Sequence, residues 1–176
     1  MTMADPILTP IGYDQFLADV AALAATIRAD AGWSPEFIVG IGRGGLVPCT
    51  YLSHATGLTM LSIDGSSGVA QFAENLITAL AARTHGGDRL LFIDDINDTG
   101  GTIERVRAML TAAGAVEAAV RFGVLIDNIG SQARVHYRAR TIDRVVTKDW
   151  FVFPWEAVAP TSTVVEDARL VPERTA

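Results

Sequence analysis

An apolar run that ends first in acids and then in glycines constrains this chain more than any other feature. Residues 90–93 read Leu-Leu-Phe-Ile, Asp94 and Asp95 follow directly, and Asp98 comes just before Thr99-Gly100-Gly101-Thr102. Beyond that segment apolar residues recur at spacings of three and four, which predicts a helix. A buried strand therefore carries carboxylates at its carboxyl end, and a glycine turn leads into a helix. The amino end of a helix suits a phosphate, and carboxylates suit hydroxyl groups and Mg²⁺.

A second glycine turn follows the apolar residues 37–41. The segment Gly40-Ile41-Gly42-Arg43-Gly44-Gly45 lies between this predicted strand and a helix predicted over Leu46–Ala55. Glycines let the backbone approach an anion closely, and Arg43 adds a permanent charge with forked donors. Taken alone, the turn is explained equally well by tight packing of the strand against the helix.

Short apolar strands alternate with amphipathic helices along most of the chain. This alternation predicts an α/β fold with a mostly parallel twisted sheet flanked by helices. Ligands bind such sheets at the carboxyl ends of the strands, where both glycine turns lie. We expect one domain over residues 1–160 and a polar, loosely held tail over residues 161–176. The pattern predicts helices at Tyr13–Ala29 and Leu46–Ala55 and within 64–88, and strands at Phe37–Ile41, Thr59–Ile63, Val120–Ile126, Val145-Val146 and Trp150–Trp155, besides the acid-ending strand.

The composition argues against several classes of protein. The formal net charge of −6 is unsuited to a nucleic-acid surface, and no apolar run approaches the length of a membrane span. The single cysteine, Cys49, can form no intrachain disulfide and fits a reducing cytoplasm, where we expect the protein to be located. An anionic ligand must then be held by local positive elements: helix ends, a few arginines and a bridging Mg²⁺.

Aromatic residues concentrate near the carboxyl end, in the segment Trp150–Trp155, although they make up only 7% of the chain. A core strand capped by Pro154 is one interpretation of this segment. The other is a platform on which a planar base stacks.

Together these motifs resemble the signature of type I phosphoribosyltransferases, and the Trp-x-x-x-Pro-Trp-acid segment is similar to that of the bacterial xanthine–guanine enzymes. The resemblance spans about Glu36–Glu156 and implies that family's fold, with a small hood at about residues 141–160. It implies Mg²⁺-dependent transfer of phosphoribose from 5-phosphoribosyl-1-pyrophosphate to a base, with release of pyrophosphate and formation of a nucleoside 5′-monophosphate. The expected base is a 6-oxopurine (hypoxanthine, guanine or xanthine), and the expected assembly is a homodimer or homotetramer.

The resemblance also implies a role for each matching residue. Asp94 and Asp95 would contact the ribose hydroxyls and Mg²⁺. Asp98 would contribute to the same subsite and accept the proton of the reacting base. The 5-phosphate would lie on Thr99, Gly100, Gly101 and Thr102, and the pyrophosphate on Gly42, Arg43, Gly44 and Gly45, with a cis peptide expected at Gly42–Arg43. Trp150 would cover the base, and the main chain of Phe151 would bond its edge.

Two departures from the family pattern concern the base and the lid. Asp127 stands where the purine enzymes carry a base-reading lysine. Lys148 is an alternative source of that amine, and a solvated surface lysine is the other interpretation of it. The expected lid, within residues 64–88, lacks the family's Ser-Tyr pair. A regulatory module that binds the donor without transfer, and a transferase for a different base, therefore stay open as alternatives.

Overall fold

The computed structural model describes residues 6–64 and 70–169. Helices and strands alternate through most of this range, as the sequence pattern predicts. The elements are β1 (Leu8–Pro10), α1 (Tyr13–Ala29), β2 (Phe37–Ile41), α2 (Gly42–Thr56), β3 (Thr59–Ile63), α3 (Ala70–His85), β4 (Leu90–Asn97), α4 (Gly101–Ala112), β5 (Val120–Asn128), β6 (Tyr137–Ile142), β7 (Trp150–Val152) and α5 (Thr161–Arg169), with single 3₁₀ turns at Glu117–Ala119 and Pro154–Glu156.

Five strands form a parallel sheet in the order β3-β2-β4-β5-β6. Strands β2 and β4 are neighbours, and Gly40 pairs with Ile93. Because the strands are parallel, both glycine turns lie at the same end of the sheet, at the carboxyl ends of β2 and β4. The predicted α/β fold with a parallel sheet and flanking helices is confirmed.

Strand β4 lies at the centre of the sheet and is buried on both faces. Leu91 and Ile93 belong to the core on the side of α1 and α2, whereas Leu90 and Phe92 belong to the core on the side of α3 and α4. All four side chains have no solvent exposure. The alternation follows from the strand period of two, and it explains why this segment reads as an uninterrupted apolar run.

The hood is a small unit built from both ends of the chain. Strands β1 and β7 pair in parallel, with Leu8 opposite Trp150. The ring of Phe153 stacks on Trp155 at a centroid distance of 4.7 Å, and Trp155 meets Phe16 of α1 edge-on at 5.4 Å. Part of the aromatic segment therefore packs against α1 and so fixes the hood to the sheet domain.

The structure differs from the sequence-based expectation at α2. This helix begins at Gly42 rather than at Leu46, so the glycine turn forms its first turn. Glycine is a poor helix former, which led the pattern to place the start of the helix too late. Close packing of Gly44 and Gly45 against β4 overrides that preference.

The expected extended section at Val145-Val146 is wrong. Both side chains are largely exposed, at 82% and 79%, in the connection that precedes β7. The edge strand lies earlier, at β6, where the sequence analysis predicted none. Arg138 and Arg140 interrupt the apolar alternation of β6, because an edge strand carries polar side chains that reach neighbouring acids.

The expectation of a loosely held tail is wrong for residues 161–169, which form α5. Val164 and Ala168 lie one turn apart and are buried, so the helix packs through a narrow apolar stripe. The other side chains of α5 are mainly polar, which hid this stripe in the sequence. Residues 170–176 of the expected tail lie outside the described residues.

Candidate active site

The acid pair lies at the carboxyl end of β4, largely shielded from solvent. Asp94 Oδ1 accepts the N–H of Asp95 at 3.0 Å, and Asp95 Oδ1 accepts the N–H of Ile96 at 2.7 Å. Burial, together with the neighbouring charge of Asp95, raises the pKa of Asp94 well above its ordinary range. Burial and the charge of Glu156 raise the pKa of Asp95 to about 7. Carboxylates with raised pKa values bind a proton more readily than ordinary carboxylates do, and a bound cation would stabilise their charged form.

Asp94 and Asp95 are suited to Mg²⁺ by their chemistry. Carboxylate oxygens are hard ligands, and each of these side chains keeps acceptor capacity beyond its one backbone bond. Within residues 6–64 and 70–169, no group of three or more His, Cys, Asp or Glu could hold a metal. An ion bound by this pair would therefore take its remaining ligands from substrate oxygens and water, which is the usual manner of Mg²⁺ binding.

The first turn of α2 lies against β4, beside the acid pair. A Cβ atom built on Gly45 would stand 2.1 Å from the carbonyl oxygen of Ile93, so only glycine fits there. Gly42 has a φ of +55°, a conformation that glycine adopts easily. The Gly42–Arg43 peptide bond is trans, and the expectation of a cis bond is wrong. Tight packing is thus a sound explanation of these glycines, and it also brings the amino end of α2 to the acids.

The glycine turn before α4 is held from outside by the end of β5 and the connection between β5 and β6. Gly100 has a φ of +96°, and a Cβ atom there would stand 2.6 Å from the backbone nitrogen of Ala133. The amide of Asn128 donates to the carbonyl oxygen of Asp98 at 2.9 Å, and the N–H of Gln132 donates to the carbonyl oxygen of Thr99. Sequence reasoning missed Asn128, because nothing in its local sequence links it to a turn thirty residues away.

Asp127 has a structural role in this part of the molecule. Its Oδ1 accepts from the side-chain amide of Asn97 at 2.8 Å. Asn97 is almost fully buried; it also donates to the carbonyl oxygen of Ala133 and accepts from the hydroxyl of Ser131. An acceptor at position 127 therefore completes a buried network that supports the glycine turn, and a lysine could not make the same bond.

Asp98 forms a two-pronged ion pair with Arg144, a residue that sequence reasoning missed. Arg144 Nε lies 3.0 Å from Asp98 Oδ1, and Nη2 lies 3.0 Å from Oδ2. The two side chains are only 11% and 14% exposed. Burial lowers the pKa of Arg144 from its ordinary value. An isolated arginine in a loop has no periodicity or motif to mark it, so only the folded chain shows this partner.

A cavity of about 170 Å³ lies between the acid pair and the hood. The two residues expected to hold a base, Trp150 and Phe151, both line it. Arg144 is the only basic residue among the described residues of its wall, which include neither Asp127 nor Lys148. The wall consists of Asp95, Ile96, Arg144, Trp150, Phe151, Phe153 and Glu156.

Residues 12–159 match the phosphoribosyl transferase domain family. The chain belongs to this family. It is an enzyme, a phosphoribosyltransferase, as the two glycine turns and the acid pair led us to expect.

Solved structures of similar fold include three that cover most of the chain. A purine phosphoribosyltransferase from Pyrococcus horikoshii is 24% identical, covers 87% of this chain and 97% of its own, and has a TM-score of 0.61. A xanthine-guanine-hypoxanthine phosphoribosyltransferase from Helicobacter pylori is 18% identical, with coverages of 86% and 94% and a TM-score of 0.61. A hypothetical protein from Neisseria gonorrhoeae with bound ppGpp is 18% identical, with coverages of 97% and 98% and a TM-score of 0.66. At these identities the likeness shows the fold.

A cavity larger than the one under the hood lies away from the motifs of this phosphoribosyltransferase. It measures about 420 Å³ and is bounded by the end of α4, by β5 and by the segment before β6, with Leu110, Phe122 and Val135 among its apolar residues. None of the predicted site residues lines it. Volume therefore does not mark the candidate active site here, whereas the convergence of buried carboxylates and glycine turns does.

The remaining predictions concern the lid and the membrane. Ser66, Ser67 and Gly68 of the expected lid lie outside the described residues, and the helical pattern predicted within residues 64–88 forms α3. None of the described helices has the length and apolar character needed to cross a bilayer.

Proposed function

We propose that this phosphoribosyltransferase transfers phosphoribose from 5-phosphoribosyl-1-pyrophosphate to a 6-oxopurine, with Mg²⁺ as cofactor. The observation that carries the proposal is the meeting of three features at one end of the sheet: the first turn of α2, the glycine turn before α4, and the cavity under the hood. We assign the first to pyrophosphate, the second to ribose 5-phosphate and the third to a planar base. The purine transferases named above share the fold, which supports a purine as the acceptor.

The donor would be held by its two anionic ends. Arg43 and the backbone amides of Gly42, Gly44 and Gly45 would bind the pyrophosphate at the amino end of α2. The amides and hydroxyls of Thr99, Gly100, Gly101 and Thr102 would bind the 5-phosphate at the amino end of α4. Since both helix ends adjoin the acid pair, the ribose between the two phosphate groups would lie over Asp94 and Asp95.

The acid pair would act on the ribose and on the leaving group. Asp94 and Asp95 would accept hydrogen bonds from the ribose hydroxyls and hold Mg²⁺ together with donor oxygens. The metal, when bound, supplies positive charge that stabilises the departing pyrophosphate. Arg43 adds to that stabilisation from the side of α2. Burial raises the pKa values of both carboxylates, and a bound cation would offset the cost of holding them charged.

The base would enter the cavity under the hood. Trp150 and Phe151 line this cavity and offer aromatic surface on which a planar base stacks. Asp98 would accept the N7 proton as the base attacks C1 of the ribose. The cavity is smaller than those that hold drug-sized ligands, as suits a single base.

A transferase for a different base is the second candidate. Asp127, at the place of the family's base-reading lysine, accepts from Asn97 and does not line the cavity. Base selection therefore depends on other residues in this chain, and a second class of base is tested beside the 6-oxopurines.

The test is a panel of reactions with the full chain. The protein is incubated with 5-phosphoribosyl-1-pyrophosphate, Mg²⁺ and, separately, hypoxanthine, guanine, xanthine, adenine or orotate, while pyrophosphate and nucleoside monophosphate are measured. We expect both products with a 6-oxopurine and a loss of activity when EDTA removes the metal. Turnover with adenine or orotate alone would support the second candidate. Donor binding without turnover of any base would contradict both and favour a regulatory module.

Assembly and location complete the proposal. We infer a homodimer or homotetramer located in the cytoplasm. Light scattering coupled to size-exclusion chromatography tests the first point, and a monomer at micromolar concentration would contradict it. Fractionation of the source cells tests the second.

A further inference from the structure

The hydrogen-bond donors of Arg144 are almost all accounted for within the protein. A guanidinium has five N–H donors. Nε and Nη2 donate to the two carboxylate oxygens of Asp98, and Nη1 donates to the carbonyl oxygens of Thr147 at 3.1 Å and Asp149 at 2.7 Å. Four donors are used in this way. The remaining N–H, on Nη2, has no acceptor among the described residues, and Arg144 lines the cavity under the hood.

The guanidinium is fixed in position as well as bonded. Its Cζ lies 4.9 Å from the centre of the Phe151 ring, and its backbone N–H donates to the side-chain oxygen of Asn128 at 3.3 Å. With only 11% of the side chain exposed, Arg144 has little freedom to turn towards solvent. A donor that is held on the wall of a cavity and left without a partner calls for an acceptor on the ligand.

The ion pair adds no net charge to this wall, which also contains Asp95 and Glu156. The carboxylate of Asp98 balances the guanidinium, so the pair is neutral overall and suits an uncharged base. An oxo group on the base would accept the remaining N–H. An amino group at the same place would set donor against donor and leave both without a partner on the cavity wall, which is unfavourable.

We propose that Arg144 determines base specificity by donating to an oxo oxygen of the acceptor base, and that it holds Asp98 in position for proton transfer. This inference rests on the transfer of phosphoribose to a base proposed above. Asp127, at the place of the family's base-reading lysine, accepts from Asn97 and does not line the cavity. Among the described residues of the cavity wall, Arg144 is the cation that can donate a hydrogen bond to the base.

The experiment compares kcat and KM for hypoxanthine and adenine in the wild-type enzyme, Arg144→Lys, Arg144→Met and Arg134→Met. Hypoxanthine carries an oxo group where adenine carries an amino group. Arg134 is exposed and lies in the segment before β6, away from the cavity under the hood, so its variant is the matched control. The affinity for 5-phosphoribosyl-1-pyrophosphate, measured by calorimetric titration, and the melting temperature show whether each variant is folded.

We expect the wild-type enzyme and Arg134→Met to prefer hypoxanthine. Arg144→Met should lower the hypoxanthine-to-adenine ratio of kcat/KM by about 10- to 100-fold, the loss typical of one hydrogen bond from a charged group. Arg144→Lys keeps the charge but lacks the forked N–H donors of arginine. Its hypoxanthine-to-adenine ratio should therefore lie between those of the wild-type enzyme and Arg144→Met. Donor affinity should stay within about threefold in all variants, because none of the residues proposed to bind the two phosphate groups lines this wall.

Other outcomes overturn the inference. A wild-type preference for adenine would do so directly. An unchanged ratio in a folded Arg144→Met would show that the arginine only supports the hood. If Arg144→Met does not fold, Arg144→Lys decides in its place, and an unchanged ratio there has the same meaning. If the wild-type enzyme forms no nucleotide from any base, the proposed function fails and the role of Arg144 fails with it.

Discussion

The backbone of Gly44 lies directly against the carboxylate of Asp95. A Cβ atom built on Gly44 would stand 2.4 Å from Asp95 Oδ2, closer than any real contact of that kind. The absence of a side chain at Gly44 therefore lets the first turn of α2 pack directly against the acid pair of β4. If the two motifs bind opposite ends of one donor, this contact sets the distance between them.

Replacing Gly44 with alanine tests this contact. The added methyl group must displace Asp95 or the first turn of α2, so we expect a loss of about 1–3 kcal/mol in the free energy of unfolding. Donor affinity should fall at least tenfold. The matched control is Gly12→Ala, because a Cβ atom at Gly12 has no atom within 4 Å and the residue has a φ of −65°. Equal behaviour of the two variants in urea denaturation and in donor titration would contradict the argument.

Asp98→Asn separates proton transfer from binding. The amide has the shape of the carboxylate and its oxygen still accepts one of the two hydrogen bonds from Arg144, but it is a far weaker base. We expect kcat to fall by about 10²–10⁴-fold, whereas the dissociation constant of 5-phosphoribosyl-1-pyrophosphate changes by less than about threefold. Steady-state kinetics and calorimetric titration measure the two quantities. Unchanged turnover would refute the role of Asp98 as proton acceptor.

Asp95 should make the free protein less stable as the pH rises. Its pKa is about 7 in the folded chain against an ordinary value of 3.8, so the folded state holds the proton more tightly than the unfolded state does. Stability from this group is therefore lost between about pH 4 and pH 7 and stays low above that range. Asp95→Asn should be more stable than the wild type at pH 8, by roughly 1–3 kcal/mol, with a much smaller difference at pH 4.

Urea denaturation at pH 4, 6 and 8, without divalent ions, measures this effect. Glu74→Gln removes an exposed acid of α3 and serves as the control. If the wild type is as stable as Asp95→Asn at pH 8, the charged carboxylate of Asp95 does not lower the free energy of unfolding, and the prediction is wrong. The gain in stability should be accompanied by a loss of activity, as is common where a site is built from strained or repelling groups.

Asp30 should have the opposite pH dependence, at acid pH. Hydrogen bonds from Arg121 and Tyr137 lower the pKa of Asp30 below its ordinary value of 3.8; the Tyr137 bond measures 2.9 Å. Its contribution to stability is present above about pH 4 and is lost as the pH falls through the lowered pKa. Between pH 4 and pH 2 the melting temperature of Asp30→Asn should fall less steeply than that of the wild type. Parallel curves would contradict the assignment.

Most of the sheet and its helices could be predicted from local patterns. The bounds of α1, β2 and β3 agree with those expected from the sequence, because each has a clear apolar period and a definite end. The acids and glycines after β4 were equally visible, since the residues that make up each of these motifs are neighbours in the chain. Strand β6 and helix α5 were not predicted, because edge strands and peripheral helices carry few apolar residues.

The sequence by itself determined where buried strands end and which groups follow them, because strand period, glycine and charge act over a few residues. Only the tertiary structure decided which distant groups meet there. The Asp98–Arg144 pair joins residues 46 positions apart, and the Asn97–Asp127 bond joins residues 30 apart. No local pattern marks such partners, since their free energy comes from burial and from the exclusion of water, which exist only once the chain has packed.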